Sequence, residues 1–481
     1  MTASFATVAA RRYGYGLRPG ETPPGDIEAL MRQLERGAAT RLAFPREGVT
    51  GRRETAARLV AVRTVEAKAA EQGRPNTALR QDSEREAERI FVRDALARLL
   101  QAVQSENGFH ERLASFWIDH FQIDARVSYE TNLLMGSYEV EVIRPNLGGY
   151  FRDLLTAAAL HPAMLIAFDQ TRSASPQSQA GALPGAELRD QLARHILVEQ
   201  TTGGIGVSEE DVRGAALILA GVGVDPATLA YAYVPAQADR VAQTVLGKVY
   251  GAQGRKPDDC RTMLEDLAER PETVDHLCRK LAAHFVGGQR AGEVADAMKA
   301  AWTASGGRLA TVYRAMLEHP VAFSPEPQVL QRPFDMVVSA LRAFGLSARQ
   351  LNDIAMQASG VAIESSAEPE PTVGTRLASG VAAQLTLEGL RRMGQPIWQP
   401  PMLAGDPAEE AAWLTGPLLQ ERIAWARLAT RVLPIPPDPE RLMQAVLADA
   451  VHDDLARLVR EAPSRSQAMT MILASPAFNR R

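Results

Sequence analysis

The chain has 481 residues, 46% hydrophobic and 23% charged, with a formal net charge of −4. That length can bury a large core and hold roughly two to four domains. The near balance of charge gives no electrostatic reason to expect nucleic acid or an acidic membrane surface as partner.

The N-terminal stretch MTASFATVAARRYGYGLRPGE lacks the order of a secretory signal, because its arginines follow the mildly apolar segment instead of preceding it. The longest uncharged apolar run, Gly214 to Val224, is far short of the roughly 20 residues that span a membrane. A soluble, cytoplasmic protein without a membrane span is therefore expected. The two cysteines, Cys260 and Cys278, fit no metal knuckle or redox pair.

Helical periodicity dominates, as in GRRETAARLVAVRTVEAKAAEQG from Gly51, EREAERIFVRDALARLLQAVQ from Glu84 and PETVDHLCRKLAAHFV from Pro271. Alternating β-branched runs are scarce, so an all-α fold of many helices is predicted. The stretch from Gly108 to Asp124, GFHERLASFWIDHFQID, stands out. At about 100° per residue Phe109, Leu113, Phe116 and Trp117 share one face, and His120 falls inside that apolar stripe. Asp119 and Arg112 lie on its flank. A buried imidazole needs partners for its ring nitrogens, which makes His120 and Asp119 candidate site residues.

Residues 172–186 are polar and read as a mobile loop. Next, ELRDQLARHILVEQTTGG from Glu187 to Gly204 places Gln191, His195 and Glu199 at i, i+4 spacing on one helix face. A His195–Glu199 pair could orient a general base or supply half of a metal site. The plainer reading is a structural polar stripe. Ser208 followed by Glu209, Glu210 and Asp211 marks a helix start. An X-Pro junction between apolar helical stretches recurs at His161-Pro162, Arg270-Pro271, His319-Pro320 and Ser475-Pro476. His276 and His284 lie on a predicted helix beside Arg279 and Lys280, with His284 read as a core-edge residue. Residues 365–375 read as an internal linker and the Pro-rich segment after Leu433 as an extended connection, within a C-terminal helical part over 376–481.

Seven segments, in order, resemble the large bacterial family catalogued as domain of unknown function 1800. They are LASFWIDHF, IRPNLGGYFRDLLTAAALHPAML, LRDQLAR with VSEEDVR, LCRKLAAHFV, RPFDMVVSALRAFG, GQPIWQPP and SPAFNRR. The resemblance implies a helical fold and brings no established activity. It also implies departures. The family's Trp-His-Asn-His-Phe is Trp117-Ile118-Asp119-His120-Phe121 here, and its Arg-Pro-His is Arg144-Pro145-Asn146. A His-Asp-x-Gly-x-Lys pattern is reduced to Ala238-Asp239-Arg240-Val241-Ala242-Gln243. The family's Leu-Asn-Glu-Asn-x-Ala-Arg-Glu helix ends in a histidine a turn or so later. This chain keeps Leu188, Ala193 and Arg194 but has Arg189, His195 and Gln200 at the remaining polar positions. Four family histidines are thus replaced, while His195 is new.

Two readings follow. In the first, the chain is a non-catalytic scaffold or partner-binding protein that keeps the framework and has lost polar motif residues; the partner is left unidentified. In the second it is a hydrolase, perhaps metal-assisted, with His120 and His195 as bases or ligands, Asp119 and Glu199 orienting them, Arg144 and Arg194 holding an anionic group and Gln191 as a further binding residue. The residues leave any cofactor, and any metal, unidentified.

Overall fold

The computed structural model describes residues 3–288, 290–325, 329–360, 377–401, 407, 409–434 and 438–481. The expected linker at 365–375 lies outside these residues, as does the middle of the Pro434–Pro439 connection. Helix makes up 64% of the fold and strand 4%, so the protein is all-α.

The N-terminal part contains α1 (Ile27–Ala38), α2 (Gly48–Glu71), α3 (Thr77–Gln104), α4 (Gly108–His120) and α5 (Tyr129–Tyr138). Helix α5 packs on both α2 and α3, and α4 packs on α1. Within α4 every residue is buried except Ser115 and Asp119. The helix therefore has a wider apolar surface than the predicted stripe, as befits a helix surrounded by protein. Its aromatic residues join Tyr13, Phe285 and Tyr313 in one core cluster, and Trp117 Nε1 donates to Tyr313 Oη at 2.6 Å.

After α6 (Phe151–Ala159) and α7 (Pro162–Ala167) the chain reaches α8 (Gln191–Arg194), which continues as a π-helix over His195–Thr202. Residues 172–186, expected to be a mobile loop, are hydrogen-bonded at several points. Ala174 N donates to Glu187 O, Ser175 N to Gln237 O and Ala180 N to Ala236 O. The buried Ser175 hydroxyl donates to Asp239 Oδ1 at 2.7 Å, so Asp239 of the reduced motif anchors this segment.

Helix α9 (Glu209–Leu219) begins with a capping box between Ser208 and Asp211. Ser208→Ala is expected to cost about 1 kcal/mol, read as a shift of the unfolding midpoint. Two short antiparallel hairpins follow, pairing 222–224 with 231–233 and 243–245 with 248–250. The predicted pattern did not include them. The second turns on Leu246 and Gly247, both at positive φ (47° and 81°), the geometry of a two-residue hairpin loop.

The remaining framework includes α10 (Asp259–Glu269), α11 (Pro271–Phe285), α12 (Ala291–Ser305), α13 (Leu309–Glu318) and α14 (Pro333–Ala343). Consecutive helices α11, α12 and α13 pack in sequence, and α11 also packs on the π-helix. At three of the four X-Pro junctions the residue before proline acts as a cap: His161 Nδ1 accepts from Ala163 N, His319 Nδ1 from Val321 N and Ser475 Oγ from Phe478 N, whereas the Arg270 side chain makes no cap. Proline supplies the preset first turn, and the preceding side chain satisfies a free amide.

Candidate functional site

The predicted site residues divide between three places. The first is a buried cluster where α4, the π-helix and α11 meet. His120 Nε2 lies 3.2 Å from Gln200 O, and Lys280 Nζ lies 3.2 Å from His120 Nδ1. A carbonyl only accepts, so Nε2 carries the proton and Nδ1 presents its lone pair to the lysine. Burial first, then the Lys280 charge, holds the imidazole well below its usual pKa, in its neutral form.

His195 is buried with its ring stacked on Phe168 at 4.5 Å between centroids. Its Nε2 has no hydrogen-bond partner, and burial followed by the Lys280 charge lowers its pKa to about 4. The His276 ring is 6.5 Å from that of His120, bonds to the Glu199 backbone and also leaves Nε2 without a partner.

The π-helix explains why the i, i+4 reading of this segment fails. With about one extra residue per turn, residues five apart come to share a face. His195 and Gln200 both turn inward, while Gln191 stays exposed and Glu199 is only half-buried. The predicted His195–Glu199 pair does not form. Thr201 and Thr202 reinforce the wide turn, their hydroxyls donating to Ile196 O and Leu197 O at 2.8 Å.

The second place is the protein surface and an enclosed ion-pair network. Arg194 is exposed and pairs with Glu209 and Asp190. Arg144 is buried, its guanidinium bonded to Glu111 at 2.9 Å and to Glu139 at 3.0 Å. Glu139 also holds Arg98 at 2.7 Å and Trp398 Nε1 at 3.2 Å. Burial pushes the Glu111 carboxyl up, but Arg144 outweighs it and holds the pKa near about 2. The anion-binding role expected of Arg144 is thus taken by two carboxylates of the chain.

The third place is a small open cleft, with about 70 Å³ of room between its walls. The two incompletely buried residues of α4, Ser115 and Asp119, line one side; Gln395 to Pro400 form another. Asp119 Oδ2 accepts from Arg332 Nη1 at 2.9 Å, and Asp335 Oδ2 from Arg112 Nη1 at 2.8 Å. Burial raises the Asp335 carboxyl, and Arg112 and Arg481 more than reverse this. Trp398 adopts a left-handed backbone, φ 55°, a strained setting for a bulky residue. Asp119 and His120 are successive residues, about 100° apart around the helix, so Asp119 faces the cleft while His120 faces the π-helix. Asp119 therefore does not orient His120.

Four of the seven family-like segments line this cleft: LASFWIDHF, the His284 end of LCRKLAAHFV, RPFD and GQPIWQPP. Sequence reasoning did not find the cleft, because its walls come from segments more than 200 residues apart, as Arg332 and Asp119 are (|i−j| = 213). Nor did it assign a role to Lys280, although the i+4 spacings from His276 to Lys280 to His284 put all three on one helix face. Among the described residues no group of three or more His, Cys, Asp or Glu side chains is placed to hold a metal ion. No helix among them is long and apolar enough to cross a membrane.

Fold and site together define a mainly helical protein with a cleft of mixed polar and apolar lining near a buried histidine–lysine cluster. The chain belongs to the family described as "Protein of unknown function (DUF1800)", which matches residues 8–480. No curated protein and no solved structure matches it.

Proposed function

We propose that this chain is a non-catalytic binding protein, a helical scaffold that offers its cleft to a partner. The carrying observation is how the charged candidates are used: Asp119 is engaged by Arg332, Arg144 by Glu111 and Glu139, and Arg194 by Glu209. Side chains held this way maintain a framework and are poorly placed to exchange protons with a substrate. The convergence of family-like segments on one cleft supports that cleft as the binding surface.

The test is a panel of ester, amide, phosphate and glycoside substrates, with and without added divalent metal, on wild type and His195→Ala. The expected result is no turnover that His195→Ala abolishes, with the variant less stable than wild type. A turnover lost in a folded His195→Ala protein would sink the proposal. It would favour the second reading, a hydrolase built from α4 and the π-helix, perhaps metal-assisted. One observation keeps that reading in play: the unpartnered, buried Nε2 of His195 sits on a π-helical turn, a feature frequent at functional sites.

A further inference from the structure

Of the chain's 53 lysines and arginines only five are lysine: Lys68, Lys248, Lys256, Lys280 and Lys299. Lys68 and Lys256 are exposed, Lys248 pairs with Asp266, and Lys299 pairs with Asp275 and Asp296. Lys280 differs from all four. It is half-buried between α11 and α4, its hydrogen bond is to the lone pair of His120 Nδ1, and it has no ion-pair partner among the described residues.

Such a position selects for lysine over arginine. A guanidinium does not release its proton in proteins, whereas a desolvated ammonium does so readily. Burial shifts the Lys280 amine toward its neutral form. Arg332 adds to that shift, while Asp119 and Glu199 oppose it without reversing it. The imidazoles that share this charge environment, those of His120, His195 and His276, are all held below their usual pKa, so at neutral pH they add no positive charge. Two residues near the pair line the cleft: His284, one turn further along α11, and Asp119, which precedes His120.

We infer that Lys280 is a nucleophilic amine that captures small aldehydes reversibly as a Schiff base, with His120 Nδ1 relaying the proton. In the first step Nζ attacks the carbonyl carbon, a C–N bond forms and the C=O π pair moves to oxygen. His120 Nδ1 takes a proton from the nitrogen and delivers it to that oxygen. Loss of the hydroxyl as water, with the second N–H proton, leaves the C=N bond. Amine and aldehyde are consumed, imine and water are formed, and no oxidant or reductant is involved. Capture of this kind needs no turnover and is independent of what occupies the cleft.

The experiment treats the full chain with propionaldehyde and sodium cyanoborohydride near pH 7, which fixes each imine as a propyl-amine, and maps label against time by peptide mass. The expected result is label at Lys280 several-fold ahead of Lys68 and Lys256, which serve as internal controls in the same tube. A folded His120→Gln variant is expected to slow Lys280 while leaving the other four lysines unchanged. Label at Lys280 no faster than at the two exposed lysines would overturn the proposal, and this comparison needs no variant to fold.

Discussion

Arg144→Ala is expected to destabilise the protein by about 3–5 kcal/mol, seen as a large drop in the denaturant midpoint. Among the described residues Arg144 is the only one bonded to both Glu111 and Glu139, and both carboxylates are buried. Removing it leaves Glu111 with Gln101 and Glu139 with Arg98 and Trp398, too few donors for two desolvated charges. Against a total stability of about 5–15 kcal/mol, that loss leaves little margin. Adding Glu111→Gln to the variant is expected to restore part of the loss, because it removes one of the stranded charges. Arg144→Lys is expected to fall between wild type and Arg144→Ala, since an ammonium keeps the charge but not the planar fork. An Arg144→Ala protein as stable as wild type would show that the network contributes nothing net.

Acid is expected to destabilise the fold in two separate windows. His110 is fully buried in α4 with both ring nitrogens unpartnered, and burial lowers its pKa to about 4. His195 is lowered to about 4 for the same first reason. In the unfolded chain both titrate near about 6.5. The unfolded state therefore binds more protons between those limits. Stability is fully present above about pH 6.5 and is lost as pH falls toward about 4, by roughly 3 kcal/mol for each histidine. Glu111 acts lower down: its folded pKa near about 2 lies below the unfolded value, so its contribution is lost as pH falls from about 4.5 toward 2. His110→Leu, close in size and without polar atoms, is expected to remove His110's share of the upper window, leaving that of His195, and to leave the lower one. Unfolding midpoints measured from about pH 7 to about pH 2 check both. An upper window unchanged in His110→Leu would remove His110 as its source.

His110 also illustrates a packing constraint. A Cβ built on Gly37 would lie 2.2 Å from His110 Cγ, so the glycine in α1 is what admits the ring. On the helix His110 stands beside the edge of the apolar stripe, next to Trp117, and it is as buried as Phe109 before it.

The all-α class, the start of α9, the reuse of X-Pro junctions and the burial of His120 all follow from local pattern. Each depends on residues a few positions apart: 3.6-residue periodicity, a cap three residues from its amide, a proline in a first turn. The two hairpins were missed because Leu246-Gly247 carries no marked turn signal, and strands of three residues are too short to show alternation. What the side chains meet depends on contacts between distant segments. Asp119 finds Arg332 and His120 finds Lys280 across long stretches of chain, with sequence separations of 213 and 160. The π-helix at His195–Thr202 has the same origin. Its wide turn exposes Gln200 O to His120 and sends Glu199 away from His195, a change of phase that a helical wheel drawn at 100° per residue cannot represent. Pattern within a segment sets which residues are buried; packing between segments sets which atoms they face, and the chemistry of the cluster and the cleft lies in those atoms.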